Sequence, residues 1–165
     1  MTSIFNKRIQ NEIKLYQKEN FIFPNLYLRP NYKNLQEWFF IVYDLKETPF
    51  EGGFYFGKVI LQDTYPLKPA DFVFITPNGR FEQNKKICTS FSGFHPESYT
   101  STWNILTMMQ GIISFMTDRE NISGIGFVDS TDEEKKILAD NSADWNKKNE
   151  IFNNIFSDFD SLNLI

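Results

Sequence analysis

The chain has 165 residues, a size that fits one domain, spanning 1–165, able to bury its own core. A net charge of −4 argues against nucleic acid as the main partner, and a single cysteine excludes an internal disulfide and a cysteine-based zinc cluster. The absence of an N-terminal basic-then-apolar segment, and of any apolar run near the roughly 20 residues of a membrane helix, points to a cytoplasmic protein.

Ile4 to Lys18 carries Ile9, Ile13 and Tyr16 at helical spacing, with Lys7, Arg8, Lys14 and Lys18 elsewhere, and predicts a first helix. Pro24 and Pro30 bracket a short strand at Asn25–Leu28. Glu37–Leu45 is rich in β-branched and aromatic residues and predicts a second strand. Pro49, Gly52 and Gly53 mark a turn, and Phe54–Gln62 predicts a third strand. Tyr65-Pro66-Leu67-Lys68-Pro69 cannot continue a ladder, because proline lacks the N–H donor. Asp71–Thr76 closes the meander, and Pro77–Tyr99 reads as a long loop. Thr100 or Ser101 is positioned to cap a central helix to about Phe115, with Trp103, Leu106, Ile113 and Met116 supplying part of its buried face. Thr131 and Glu134 form a capping-box signature for a helix through Ile137, Leu138 and Trp145. Phe152, Ile155, Phe156 and Phe159 share one face of a last helical segment. The order is α+β, with an antiparallel meander and segregated helices.

Thr76–Trp103 holds the only cysteine, Cys88, and the only histidine, His95. A thiol in a long segment between two core elements is a candidate nucleophile, although a buried structural thiol is the common alternative. Asn78 precedes Gly79 and reads equally as a turn residue. His95 with Cys88 admits a Cys–His hydrolase reading, or a loop histidine that packs against the thiol. Asp129 is either a helix cap or a site carboxylate, and Lys7 and Arg8 read alone as a solvated basic face.

The element order, the turn-and-strand TPFEGGFYFGKVI, the segment YPLKPADFVF and the Pro77–Asn78 pair ten residues before Cys88 resemble a ubiquitin-conjugating enzyme. ITPNGRF, KKIC and FSGFHPES resemble more narrowly the branch of endoplasmic-reticulum-associated degradation, which carries TPN where most of the family has HPN. The resemblance covers Ile4 to Asn149. It implies the UBC fold: an N-terminal helix, a four-stranded antiparallel meander, a long active-site loop, a central helix and C-terminal helices.

The resemblance also implies a chemistry. Cys88 would accept the C-terminal carbonyl of ubiquitin as a thioester from an activating enzyme, and a substrate lysine, or in this branch a hydroxyl, would attack it. Asn78 would shape the loop and donate to the oxyanion, worth about 3–4 kcal/mol of barrier. His95 would belong to a gating insertion, and Asp129 would orient the incoming amine. Lys7 and Arg8 would contact the activating enzyme. Leu67, Ser101 and Thr102 would contact a RING-type ligase. No metal or bound cofactor is implied, ATP being used by the activating enzyme, and a monomer is expected. Branch members are usually tail-anchored, so the cytosolic face of the ER is implied if a C-terminal anchor has been truncated. The sequence departs from the family at Leu67 (usually Phe), Ala70 and Ser101 (usually Pro), Thr89 (usually Leu) and Tyr99 (usually Trp). A non-catalytic ubiquitin-binding module of the same fold is the alternative reading.

Overall fold

The computed structural model describes residues 3–19, 23–87, 96–120 and 124–164. Helix α1 spans Ser3–Glu19, followed by β1 Leu26–Pro30, β2 Glu37–Tyr43, β3 Phe54–Ile60 and β4 Asp71–Phe74. Helices α2 Ile105–Thr117, α3 Asp132–Lys147 and α4 Glu150–Ile155 follow, with 3-10 turns at Pro96–Ser98 and Phe159–Ser161. The four strands form one antiparallel sheet in chain order, the meander expected from the sequence.

The sheet is buried on both faces, which explains why WFFIVY is apolar without interruption rather than alternating. Trp38, Phe40 and Val42 face Phe5, Ile9 and Ile13 of α1 and Met108, Met109 and Ile112 of α2. Phe39 and Ile41 face the other way, onto Phe56, Ile75, Phe152 and Phe156. The phenylalanines thus divide between two cores. Phe40 meets Phe74 edge-on at 5.0 Å, and Phe56 meets Phe152 edge-on at 5.1 Å.

Helix α2 starts later than its sequence signals indicate. Its cap is Asn104, whose side chain accepts the amide of Thr107, not Thr100 or Ser101. Thr100 instead closes a turn with its carbonyl, accepting from the amide of Trp103, and Trp103 precedes the helix. The reason is tertiary: the guanidinium of Arg8 in α1 holds the carbonyls of Ser101 (2.8 Å) and Trp103 (2.7 Å), and Glu12 of α1 takes the amide of Ile105 at 2.8 Å. Helix α3 does open with the Thr131–Glu134 capping box. Its inward face, however, is Lys135, Ala139, Ser142 and Asn146, and Ile137 is 60 % exposed.

The last segment is pinned across the second sheet face by Arg29 of β1, which donates to both carboxylate oxygens of Asp158 at 2.9 Å and to the carbonyl of Ile155 at 2.7 Å. Hydrogen bonding from Arg29 draws the Asp158 carboxyl below its ordinary range. A depressed folded-state pKa contributes stability above the unfolded aspartate value and loses it as pH falls through the folded value. Asp158→Asn should therefore show a shallower loss of Tm between neutral pH and about pH 3 than the parent. The difference, read by thermal melts, should stay below about 1 kcal/mol because the pair is half exposed, and should shrink in salt.

Candidate active site

Strand β4 ends by sharing one carbonyl: the amides of Ile75 (2.9 Å) and Thr76 (3.1 Å) both donate to Phe56 O. The Thr76 hydroxyl is fully buried, accepts from the amide of Phe56 at 2.8 Å and pairs with Asn146 Oδ1 at 2.7 Å. Asn146 Nδ2 donates to Phe54 O, and Ser142 Oγ accepts from Phe54 N, both at 2.8 Å. Three polar side chains thus sew the β4 exit and β3 to α3. Sequence reasoning missed Ser142 and Asn146, because polar residues on a helix read as solvent-facing. Their only local signal is that α3 has few apolar residues to bury.

Pro77–Asn78 follows directly. Asn78 is 1 % exposed; its Oδ1 accepts from the amides of Arg80 (2.9 Å) and Phe81 (2.8 Å), and its Nδ2 donates to Thr76 O (3.0 Å). It is therefore the turn residue the sequence allowed, closing an Asx turn. Gly79 follows with φ +78°, where a Cβ would lie 2.7 Å from Ser130 Oγ. No side chain fits there.

The segment read as a plain loop pairs with its neighbours. Phe81 bridges Phe127, Val128 N donates to Arg80 O, and Glu82 N donates to Gly126 O, both at 2.8 Å. The Phe81 ring stacks on Phe74 at 5.1 Å and meets Phe127 edge-on. The chain then turns back: Asn84 N donates to Phe74 O (2.8 Å), Lys86 bridges Val73, and Ile87 N donates to Phe72 O (3.0 Å). Ile87, the residue before Cys88, is fully buried against β4. Gly126 closes on the returning segment, since a Cβ there would sit 2.8 Å from Lys86 O. Cys88 and His95 themselves lie outside the described residues.

These pairings bring Asn78 and Asp129, 51 positions apart in sequence, to one cleft of about 610 Å³. Pro77, Phe81, Val128 and Leu138 give it an apolar lining, and Asp129 stands exposed on its rim. Asp129 is not the cap of α3; Thr131 is, because its hydroxyl accepts from Glu134 N while the Glu134 carboxylate accepts from Thr131 N.

A second surface gathers the remaining candidates. Leu67 is 70 % exposed, and Ser101 and Thr102 are exposed. Tyr99, in the position the family resemblance gives to Trp, donates its hydroxyl to Pro66 O at 3.0 Å and so ties the Leu67 turn to the Ser101 loop. Its burial raises its pKa to about 12, so it stays a donor at neutral pH. Lys7 is exposed, whereas Arg8 points inward, over the Tyr65 ring at 5.6 Å and on Glu12 at 2.6 Å. Among the described residues no helix is long and apolar enough to cross a membrane.

Comparison with known proteins gives a consistent relation. The profile of the family described as ubiquitin-conjugating enzyme matches residues 8–153. Ubiquitin-conjugating enzyme E2 J2-like of Dictyostelium discoideum is 40 % identical over 132 residues, covering 80 % of this chain and 76 % of the relative. Ubiquitin-conjugating enzyme E2 6 of Candida glabrata is 39 % identical over 126 residues, 76 % of this chain; that match spans half the length of the relative. The crystal structure of a ubiquitin conjugating enzyme E2 from Plasmodium falciparum superposes with a TM-score of 0.59 at 26 % identity, covering 69 % of this chain and 99 % of that one.

The Thr76–Asn146 contact makes a direct prediction. Thr76→Val leaves Asn146 Oδ1 and Phe56 N buried without that partner, and should cost about 1–3 kcal/mol in urea melts. Thr76→Ser keeps the hydroxyl and should recover most of the loss.

Proposed function

The chain belongs to the ubiquitin-conjugating enzyme family, and on that premise we propose that it accepts ubiquitin as a thioester on Cys88 and passes it to lysine amines of substrates. One observation carries the reading: the chain before Cys88 returns to β4 through the Lys86–Val73 bridge and the Ile87 amide on Phe72 O, with Ile87 buried, beside the loop that holds Asn78. A nucleophile that follows a residue anchored in this way has a fixed base on its N-terminal side.

The Cys88 thiolate attacks the thioester carbonyl of ubiquitin on the activating enzyme and expels that enzyme's thiolate, so one thioester replaces another. A substrate amine then adds to the carbonyl, the oxyanion forms, and the Cys88 thiolate leaves as the amide is made. The amine loses its proton to solvent or to a nearby carboxylate. Asp129, on the rim of the Asn78 cleft, is the carboxylate we assign to orient that amine. Asn78 gives one amide hydrogen to Thr76 O, and an amide has two; the second is assigned to the oxyanion. His95 is assigned a gating role in the insertion. ATP is spent by the activating enzyme, and no cofactor is needed in this chain.

Partner surfaces follow from exposure. Lys7 stands free to meet the activating enzyme, with Arg8 shaping the surface from beneath. Leu67, Ser101 and Thr102 form an apolar anchor beside a polar loop, which suits a RING-type ligase. The TPN branch resemblance supports hydroxyl as well as amine acceptors, and service in ER-associated degradation at the cytosolic face of that membrane.

Incubation with activating enzyme, ATP and ubiquitin should give a reductant-sensitive adduct. Cys88→Ser should replace it with a reductant-stable oxyester or abolish it; an adduct unchanged by the substitution would overturn the assignment. Failure to charge combined with ubiquitin binding would favour the non-catalytic module. Hydrolysis of a ubiquitin ester that depends on His95 and needs no activating enzyme would favour a Cys–His hydrolase. Asn78→Ala should slow discharge to free lysine about 10²-fold while charging persists. Equal losses in charging, discharge and thermal stability would reduce Asn78 to its turn role.

A further inference from the structure

We propose that the cation-lined pocket at the N-terminus of α3 binds a tetrahedral oxyanion of the phosphate class. The pocket measures about 220 Å³, roughly seven water volumes, and its chemical wall is Arg80, Arg119, Lys135, Ser130, Thr131 and Asp132.

Arg80 carries the argument. Its side chain is 3 % exposed, donates from Nε to Met116 O at 3.0 Å and from Nη2 to Asp118 O, and so caps the carbonyl end of α2. Its Nη1 is buried with no hydrogen-bond partner among the described residues. Arginine keeps its charge when buried. Burial lowers its pKa, while Asp118, Asp129 and Asp132 act in the opposite direction. A buried guanidinium in the pocket wall with an unfilled donor supplies positive charge suited to an anion.

The surroundings add to this. Arg119 is 73 % exposed at the pocket wall, and Lys135, nearly buried, donates to Ser130 O at 2.7 Å. Among the described residues, three lining cations therefore face one lining carboxylate, Asp132, which meets Arg119 at 3.4 Å. That pair is exposed and weak, so an oxyanion can take Arg119 from it. The amides of Asp132 and Glu133 lie outside the helical ladder in the first turn of α3, where the helix dipole favours negative charge. The acidic first turn, Asp132, Glu133 and Glu134, opposes large polyanions and favours a single small group. Ser130 also lines the Asn78 cleft and donates to Gly79 O at 2.5 Å, so an occupant would touch the wall shared with the candidate active site.

The same chemistry is offered by inorganic phosphate and by a phosphorylated side chain. The test is amide and arginine side-chain NMR on the full chain during titration with phosphate, against chloride at matched ionic strength. Saturable shifts at Ser130–Glu134 and Arg80 are expected, with a higher Tm in phosphate. Arg119→Gln, an exposed change that should leave the Tm in chloride intact, should weaken phosphate binding about tenfold. Linear, non-saturating shifts, or affinity untouched by Arg119→Gln, would overturn the site. A glycine-flanked phosphoserine peptide separates the sources. Tighter binding than phosphate, absent in the unphosphorylated peptide, assigns a modified side chain; binding of phosphate alone assigns the free ion.

Discussion

A buried carboxylate holds together the parts of this protein to which partner contacts are assigned. Glu12 of α1 is 5 % exposed and receives three donors from three segments: Arg8 Nε, the Tyr65 hydroxyl and the amide of Ile105. A carboxylate taken out of water is tolerable only when its lone pairs are filled, and removing one partner of such a set typically costs several kcal/mol. The result is that the first helix, the Leu67 turn and the start of α2 cannot be moved independently. Arg8 extends the same constraint to the carbonyls of Ser101 and Trp103, and Tyr99 completes it from the other side through Pro66 O. The two loops assigned to a ligase are therefore one surface, set by the helix assigned to the activating enzyme.

The other end of the molecule is ordered by hydroxyls and amides rather than charge. Thr76, Ser142 and Asn146 fix α3 to β3 at the point where β4 gives way to Pro77–Asn78. Neutral groups suit this place. Each finds a partner without the desolvation cost of an ion, and together they leave the next residues no freedom to drift. The TPN variant thus has a physical role: its threonine is small enough to be buried and polar enough to bind α3.

Between these two ends the sheet is buried on both faces by aromatic side chains, so strand positions are determined by packing on either side. Arg29 and Asp158 pin the C-terminal segment over the second face, and Arg29 also lies over the rings of Tyr27 and Phe156. The segment that carries Asn78 leaves this rigid slab at Thr76 and returns to it at Ile87, next to Cys88.

Periodicity, turn chemistry and motif order in the sequence determined the element order, the meander, the α3 capping box and the family. Each of these rests on local patterns that survive in one dimension. Asn78 as a turn residue was legible for the same reason, since Asx–Gly closes its own turn. What only tertiary structure decided was contact across distance. Asn104 caps α2 in place of Thr100 or Ser101 because Arg8 and Glu12, some 90 residues earlier, hold the preceding carbonyls and the first amide. Arg8 turns inward although its spacing reads as a basic surface. Ile137 faces out and Asn146 faces in, because the Thr76 hydroxyl just beyond β4 and the Phe54 backbone of β3 outweigh the apolar stripe. Asp129 reaches the Asn78 cleft only through the Phe81–Phe127 pairing. A buried polar group is defined by a partner remote in the chain, and no local pattern in the sequence names that partner.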